Sequence, residues 1–192
     1  MDIEVLLREL GPVDSAPLRE AVLRQEEAAW HEDTYRQQEY DVHTDTQSIV
    51  MVFTHGENWP NCEVRREPGW DRLADVAIPL MEEIIKKHYL PGGTVIRAMA
   101  AKLLSGSKIT PHRDKHPSFC AGHRIHIPIT TNPRVRFMID GRPYKFKVGE
   151  AYEINNQKTH SVMNKGDDDR ITFIFDYVPS SVLDVIPDTE TE

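Results

Sequence analysis

Hydrophobic and polar positions follow two different periods along the chain, and the change falls near residue 93. Before it, apolar residues recur at helical spacing within residues 2–10, residues 14–30 and residues 71–90. A β-branched, apolar run at residues 48–53 predicts a buried strand within this part. From residue 94 onward, the pattern predicts about eight short strands with turn residues between them.

The predicted strands alternate between a polar face and an apolar face. In residues 124–129, Arg124 and His126 fall on one face and three isoleucines fall on the other. In residues 170–178, Arg170 shares a face with a threonine, whereas two phenylalanines fall on the opposite face. Short, evenly spaced strands are typical of a closed sandwich or barrel, and the preceding helices would then cover one outer face. The predicted fold class is mainly β with flanking helices.

The length favours a single domain over residues 1–192, because a domain typically spans about 100–200 residues. We divide this domain into three parts. Residues 1–93 form a mainly helical part with one or two strands packing on the barrel, residues 94–178 form the β core, and residues 179–192 form an acidic tail. The hydrophobic fraction of 39% is enough for a sizeable core.

Composition also bears on location and partners. No apolar run approaches the ~18 residues that a membrane span requires, and the acidic first residues lack the basic start of a signal peptide. The two cysteines do not make a disulfide framework, so we expect a cytoplasmic protein. A net charge of −8 without a basic tract argues against nucleic acid as the partner.

Two histidines and one carboxylate form the candidate reactive site. His112 and Asp114 are two residues apart, so an extended backbone would project both side chains from the same side. With His160 they would supply the set of two imidazoles and one carboxylate that holds non-haem Fe(II) and leaves coordination positions open. Arg170 follows ten residues after His160. A guanidinium there would suit the far carboxylate of a 2-oxo acid.

The same residues also have purely structural interpretations. His112 and Asp114 fit a pair on a surface strand, and His160 fits a histidine of the core. Arg170 is compatible with a structural ion pair to Asp114 or Glu150. A hydrolytic zinc site would use similar ligands, but it would leave Arg170 and its spacing unexplained.

Other histidines carry weaker signals. A second His-x-Asp, formed by His43 and Asp45, precedes the strand predicted at residues 48–53. For this pair a loop turn or a helix-end contact is favoured, and a position facing the substrate is the alternative. We expect His116 and His123, which follow the candidate ligand Asp114, to be exposed to solvent.

Five elements occur in the order found in one enzyme family. They are Pro111-His112, Arg124-Ile125-His126, Gly149-Glu150, His160-Ser161-Val162 and Arg170. In this arrangement the chain resembles the Fe(II)/2-oxoglutarate-dependent dioxygenases, and more narrowly the aspartyl/asparaginyl β-hydroxylase family. The resemblance covers residues 94–178, and the N-terminal helices carry no part of it.

The resemblance implies a double-stranded β-helix, a jelly-roll or cupin-like core, with iron at its open end. It implies three ligands for Fe(II), namely His112, Asp114 and His160. It also implies 2-oxoglutarate and O₂ as cosubstrates. Arg170 would bind the C5 carboxylate of 2-oxoglutarate, and Arg124 and His126 would approach its C1 carboxylate.

The chain departs from the animal members of that family at two places. Those members lack a carboxylate at the position of Asp114, whereas this chain has the complete triad. A serine that helps to hold the C5 carboxylate in those members falls near Ala101 and Lys102 here. Lys102 is a candidate substitute for that serine.

The activity implied by the resemblance is hydroxylation of an unactivated C–H bond, with release of succinate and CO₂. The substrate would be an amino acid, an amino-acid-derived small molecule, or a side chain of a peptide or protein. We expect residues 36–47 and 115–122 to shape that choice. The alternative function is a metal-binding barrel without oxygenase activity, acting as a sensor or partner-binding module. An oxygenase that modifies nucleic acid would need a basic groove beside the iron.

Overall fold

The structure is a computed structural model that describes residues 1–34, 45–57 and 59–183. Within these ranges the strands are β1 (Leu7–Pro12), β2 (Thr46–His55), β3 (Glu63–Arg66), β4 (Thr94–Leu103), β5 (Lys108–His112), β6 (His123–Pro128), β7 (Val135–Ile139), β8 (Arg142–Tyr144), β9 (Glu150–Ile154), β10 (His160–Asn164) and β11 (Arg170–Val178). The helices are α1 (Ala16–Leu23), α2 (Gly69–His88), α3 (Ser118–Ala121) and α4 (Ser180–Leu183), with a 3-10 helix at Glu27–His31.

The strands form two antiparallel sheets. The larger sheet has the order β1-β9-β6-β11-β4-β2-β3, and the smaller has the order β5-β10-β7-β8. Buried side chains from the larger sheet, such as Leu103 and Tyr152, pack in one cluster with Phe137 and Val162 from the smaller sheet. The two sheets therefore lie face to face, which confirms the predicted jelly-roll core.

A second core lies on the opposite face of the larger sheet. β6 and β11 direct four fully buried side chains toward it: Ile125, Ile127, Phe173 and Phe175. Two helices cover this face through buried residues of α1 (Leu18 and Val22) and of α2 (Leu73, Ala77, Leu80 and Ile84). Because side chains alternate along a strand, Arg124, His126 and Arg170 are left on the inner face, between the sheets.

The helix predicted at residues 2–10 is wrong. The chain instead forms β1, which pairs antiparallel with β9 and places Leu7 opposite Ile154. Leu6 and Leu7 pack against the cluster between the two sheets. So short a helix is marginal in water, whereas pairing at the edge of a sheet satisfies the backbone and buries the same leucines.

The described residues up to 93 contain three strands, β1 to β3, where one or two are predicted, and all three belong to the larger sheet. The segment predicted as one helix at residues 14–30 is divided into α1 and the 3-10 helix. At the start of α1, Oδ1 of Asp14 accepts the backbone N–H of Ala16 at 3.3 Å. α2 begins at Gly69, where a Cβ atom would lie 2.4 Å from the carbonyl oxygen of Val50. In the described part of the chain, none of the helices is long and apolar enough to cross a membrane.

Candidate active site

The ends of two paired strands bring the predicted metal ligands together. β5 ends at His112, β10 begins at His160, and these residues lie opposite each other in the antiparallel pair. Asp114 follows two residues after β5, and its backbone N–H faces the carbonyl oxygen of Asn156 at 3.4 Å. Donor atoms of the two histidines and the aspartate all lie within 4.8 Å of one another.

Hydrogen bonds fix which nitrogen of each imidazole faces the centre of this cluster. Nδ1 of His112 lies 2.7 Å from the carbonyl oxygen of Thr110. Nδ1 of His160 lies 3.0 Å from the carbonyl oxygen of Lys158. A carbonyl only accepts, so each Nδ1 carries the proton and each Nε2 is the nitrogen that can bind a metal. The two Nε2 atoms lie 3.8 Å and 3.9 Å from Oδ1 of Asp114.

This donor set fits a non-haem Fe(II) ion. Two imidazole nitrogens and one carboxylate oxygen form the facial arrangement that such iron prefers. Backbone carbonyls orient both rings, as is usual for histidines that bind metals. Burial, the largest effect, lowers the pKa of His160 and so favours the neutral imidazole that a metal ligand requires.

A cavity between the sheets is lined both by the two histidines and by Arg170. Its apolar walls include Ala101, Leu103, Ile109, Phe137, Val162 and Ile174. Its polar lining includes His126 and Arg124. The cavity therefore joins the candidate metal position to a buried cation.

Arg170 is buried without an anionic partner in the described part of the chain. It is 5% exposed, and its Nη2 has no hydrogen-bond partner among the residues that the structure describes. Burial lowers the pKa of the guanidinium to about 10, which leaves it charged at neutral pH. The ion pairs considered from the sequence do not form, because Asp114 pairs with Arg124 and Glu150 lies beside Lys147. A buried charge of this kind favours an anionic ligand.

Two buried hydroxyls that the sequence analysis missed belong to the same face of the larger sheet. Thr172 follows Arg170 by two residues on β11, and Ser48 lies on β2. Both are fully buried, and within the described ranges neither hydroxyl has a hydrogen-bond partner. The register places Thr172 and Ser48 on either side of Ala101, which lines the cavity. Each neighbouring strand thus places a hydroxyl beside Ala101, although neither residue is among those that line the cavity.

Lys102 makes its described side-chain contacts away from that position. Its Nζ lies 3.3 Å from Oε2 of Glu27 and 4.2 Å from the ring centre of Trp30. A neighbouring residue on a strand projects to the opposite face from Ala101, but Lys102 is also among the residues that line the cavity, so its candidate role at the cosubstrate stays a prediction.

Arg124 contacts two carboxylates. Its Nη1 donates to Oδ2 of Asp114 at 2.6 Å, and its Nε and Nη2 donate to the two oxygens of Asp176, both at 2.8 Å. Burial alone would raise the pKa of Asp176, but Arg124 and Arg97 lower it overall, so Asp176 is ionised at neutral pH. Asp176 was not identified from the sequence, although it shares a face of β11 with Arg170. The contact of Arg124 with the C1 carboxylate stays a prediction.

His126 presents a neutral imidazole to the cavity. Burial first, and then the charge of Arg170, hold its pKa well below the usual range. Neither ring nitrogen has a hydrogen-bond partner in the described residues. The ring packs edge-on against Phe137 and Phe146, at 5.7 Å and 6.1 Å between centroids. Its predicted contact with the cosubstrate stays a prediction, and the open nitrogens are compatible with it.

Among the described residues, the other histidines lie outside this cluster. His43 falls outside the described residues, and Asp45 is exposed in the turn before β2. His116 is half-buried, with Nδ1 at 2.7 Å from the hydroxyl of Ser118. The expected exposure is wrong for His123, whose side chain is 14% exposed because it pairs with the buried carboxylate of Glu153.

Comparisons with known proteins agree with this arrangement. The sequence model of the aspartyl/asparaginyl beta-hydroxylase family matches residues 19–179, a wider stretch than the motifs at residues 94–178. Comparison with curated protein sequences gave no match.

The solved structures that are similar to this chain in fold include the following three. A 2-oxoglutarate-Fe(II) oxygenase-family protein from Burkholderia pseudomallei is 11% identical, with 71% of this chain and 69% of that chain covered and a TM-score of 0.53. A non-haem monooxygenase in a nickel complex is 13% identical, with 91% and 74% covered and a TM-score of 0.57. A viral collagen prolyl hydroxylase from Paramecium bursaria Chlorella virus-1, in complex with 2-oxoglutarate, is 10% identical, with 92% and 97% covered and a TM-score of 0.53.

At these identities the structural likeness establishes the fold, and the family match over most of the chain establishes the class of enzyme. Family membership also favours the oxygenase over the non-catalytic barrel. The chain belongs to the aspartyl/asparaginyl beta-hydroxylase family and is a hydroxylase that depends on Fe(II), 2-oxoglutarate and O₂.

Proposed function

We propose that this hydroxylase holds Fe(II) with His112, Asp114 and His160 and binds the far carboxylate of 2-oxoglutarate with Arg170. The observation that carries the proposal is the buried guanidinium of Arg170, which lacks a described anionic partner and lines the same cavity as the histidines. 2-Oxoglutarate has a carboxylate at each end. A cosubstrate that binds the metal with one carboxylate and Arg170 with the other would explain why the same cavity is lined by the two histidines and by a buried guanidinium.

The hydroxyls of Ser48 and Thr172 complete the proposed carboxylate subsite. Each hydroxyl can donate to a carboxylate oxygen, and neither is engaged elsewhere in the described chain. Their position on either side of Ala101 puts them on the strands that flank the cavity wall. We therefore assign the C5 carboxylate to Arg170, with the two hydroxyls as further donors.

When bound, iron and 2-oxoglutarate activate O₂ so that one oxygen atom enters a substrate C–H bond and the other enters succinate, with release of CO₂. The contribution of the chain is to position the reactants. The carbonyls of Thr110 and Lys158 hold the imidazole Nδ1–H groups, so both Nε2 atoms stay directed at the metal position. Apolar walls such as Ile109 and Val162 keep water away from the cosubstrate.

We infer that the substrate is an amino acid, an amino-acid-derived small molecule or a side chain of a peptide. The family is named for hydroxylation of aspartyl and asparaginyl residues, and one similar structure is a collagen prolyl hydroxylase. Residues 115–122 follow the ligand Asp114 and would border the bound substrate. In this segment the ring of Phe119 contacts two guanidinium groups, at 4.3 Å from Arg97 and 4.4 Å from Arg124. Residues 36–47 form the other segment that we expect to shape the choice of substrate, and residues 36–44 of it lie outside the described chain.

Anaerobic addition of Fe(II) and 2-oxoglutarate tests the assignment. We expect the visible charge-transfer band of a 2-oxo acid bound through two oxygen atoms to iron. Arg170→Ala should weaken 2-oxoglutarate binding by about 10–100-fold, the usual worth of hydrogen bonds to a charged group, and should change iron affinity far less. Arg134→Ala is a matched control, because its side chain is 61% exposed and it pairs only loosely with Asp167, at 3.5 Å.

Three outcomes would count against the proposal. Absence of the band from folded, iron-loaded protein would contradict 2-oxoglutarate binding at this site. Equal loss of iron and 2-oxoglutarate binding in Arg170→Ala would make Arg170 a structural residue. Metal uptake without succinate formation in air, across a panel of amino acids and peptides, would favour the non-catalytic barrel.

A further inference from the structure

The two oxygens of Asp114 face different partners. Oδ1 lies 3.8 Å and 3.9 Å from the Nε2 atoms of His112 and His160. Oδ2 accepts a hydrogen bond from Nη1 of Arg124 at 2.6 Å, a short, charge-assisted contact. One oxygen is thus directed at the metal position, and the other is occupied by an arginine.

Arg124 is itself fixed on more than one side. Its Nε and Nη2 form two parallel hydrogen bonds to Asp176, which is 2% exposed. Its guanidinium also stacks 4.4 Å from the ring centre of Phe119, and its side chain is only 14% exposed. A planar guanidinium suits this bridge because it presents donors in two directions at once. Arg124 lies on β6 and Asp176 lies on β11. Through its bonds to Asp176, Arg124 is fixed in place and can in turn hold the side chain of Asp114, which lies beyond the end of β5.

We propose that Arg124 is a positioning residue that keeps Asp114 a one-oxygen metal ligand. By occupying Oδ2 it leaves Oδ1 alone to bind the metal. A carboxylate that bound through both oxygens would take up one of the open positions that the cosubstrate and O₂ require. The inference rests on the proposed function only in taking the two histidines and Asp114 as the metal site.

This role differs from the one that the family resemblance implies, in which Arg124 contacts the C1 carboxylate of 2-oxoglutarate. The three short bonds to Asp114 and Asp176 orient the guanidinium along the carboxylates of the protein itself. The two roles predict different binding defects. A cosubstrate contact affects 2-oxoglutarate affinity, whereas a positioning contact affects the metal.

Metal affinity, measured with Co(II) under anaerobic conditions, tests the proposal directly. Arg124→Gln should weaken Co(II) binding about 10–100-fold, the range found when a residue that orients a metal ligand is removed. On Co(II)-saturated protein, 2-oxoglutarate affinity should fall by less than about threefold, because the substitution removes a contact to Asp114 and not a contact to the cosubstrate. Arg124→Lys should be intermediate, since a lysine supplies one point charge and cannot bridge two carboxylates.

A double-mutant cycle with Asp114 separates positioning from general structural support. In an Asp114→Gly background, Arg124→Gln should change Co(II) affinity by less than about twofold, because Arg124 acts through the carboxylate that has been removed. A residue that merely stabilised the fold would weaken metal binding equally in both backgrounds. Arg97→Gln is the matched control. Arg97 lies 3.5 Å from the same Asp176 and packs on Phe119, one carboxylate further from the metal, so its effect on Co(II) affinity should be smaller.

Two results would overturn the proposal. One is a larger loss of 2-oxoglutarate affinity than of metal affinity in Arg124→Gln, and the other is an equal loss of metal affinity with and without Asp114. Circular dichroism checks the fold of each variant, and Arg124→Lys serves for the comparison if Arg124→Gln does not fold. Failure of the proposed function would look different. Wild-type protein would then show no charge-transfer band with 2-oxoglutarate, while the coupling between Arg124 and Asp114 in metal binding would remain.

Discussion

At the scale of single residues, the site retains a charge that folding by itself does not favour. Arg170 is 5% exposed, and its Nη2 lacks a hydrogen-bond partner within the described ranges. The lowering of its pKa to about 10 reflects the free energy lost when the guanidinium leaves water. Binding sites commonly keep such costs because the ligand recovers them. Arg170 is therefore better explained by a bound anion than by stability.

This explanation predicts opposite effects of one substitution on stability and on binding. Without metal or 2-oxoglutarate, Arg170→Met should raise the free energy of unfolding by about 1–3 kcal/mol, because an apolar side chain replaces a buried, uncompensated charge. The same variant should lose most of its affinity for 2-oxoglutarate. Urea denaturation measures the first effect, and Arg134→Met, at an exposed position, should leave stability unchanged within error. A loss of stability in Arg170→Met would identify Arg170 as structural support.

The sequence predicted the residues of the site unevenly, for a physical reason. The spacing and residue types of His112, Asp114 and His160 predict a metal site, and the structure brings these three side chains together. Ser48 and Thr172 could not be predicted, because their closeness in space depends on which strands are neighbours in the sheet. Alternation along a strand shows which face a side chain occupies, but it does not show that β2 and β11 both lie beside β4.

At the scale of secondary-structure elements, the strands of the core were predictable and β1 was not. Among the described residues, the eight strands β4 to β11 match the predicted number. These strands could be predicted because apolar and polar side chains alternate along a strand that buries one of its faces. β1 carries leucines at helical spacing and is a strand because β9 offers it an edge. A buried ionic cluster secures that edge. Glu153 of β9 is fully buried and pairs with Arg8 of β1, with His123, and with the hydroxyl of Tyr89 at 3.1 Å.

The cluster makes Glu153 the side chain on which the docking of β1 depends. Glu153→Gln should lower the free energy of unfolding by about 1.5–3 kcal/mol, since it weakens hydrogen bonds between charged groups at a buried position. Hydrogen exchange should show the amides of β1 losing protection before those of β11. Glu150→Gln on the same strand is the matched control, because Glu150 is 30% exposed and should matter much less. Equal destabilisation by both substitutions would mean that the cluster has no special role.

At the scale of the whole molecule, the proposed ligands connect the two sheets. The histidines belong to β5 and β10 of the smaller sheet, whereas Arg170 belongs to β11 of the larger sheet. Metal binding would unite groups at the end of the smaller sheet. 2-Oxoglutarate, bound to the metal at one end and to Arg170 at the other, would then link both sheets through the cavity between them. The stability of the molecule should therefore depend on the two ligands in a fixed order.

Thermal unfolding with Mn(II), which is slow to react with oxygen, tests that order. A ligand at 100 times its dissociation constant adds about 2.7 kcal/mol to stability. For a chain of this length, each kcal/mol corresponds to a rise in melting temperature of about 2–4 °C. Mn(II) alone should raise the melting temperature, 2-oxoglutarate alone should change it little, and both together should exceed Mn(II) alone. Arg170→Ala should keep the metal-dependent rise and lose the further rise with 2-oxoglutarate.

If 2-oxoglutarate stabilised the metal-free protein as much as the metal-loaded protein, its binding would not involve the metal. The proposed link between the two sheets through the cavity would then be wrong.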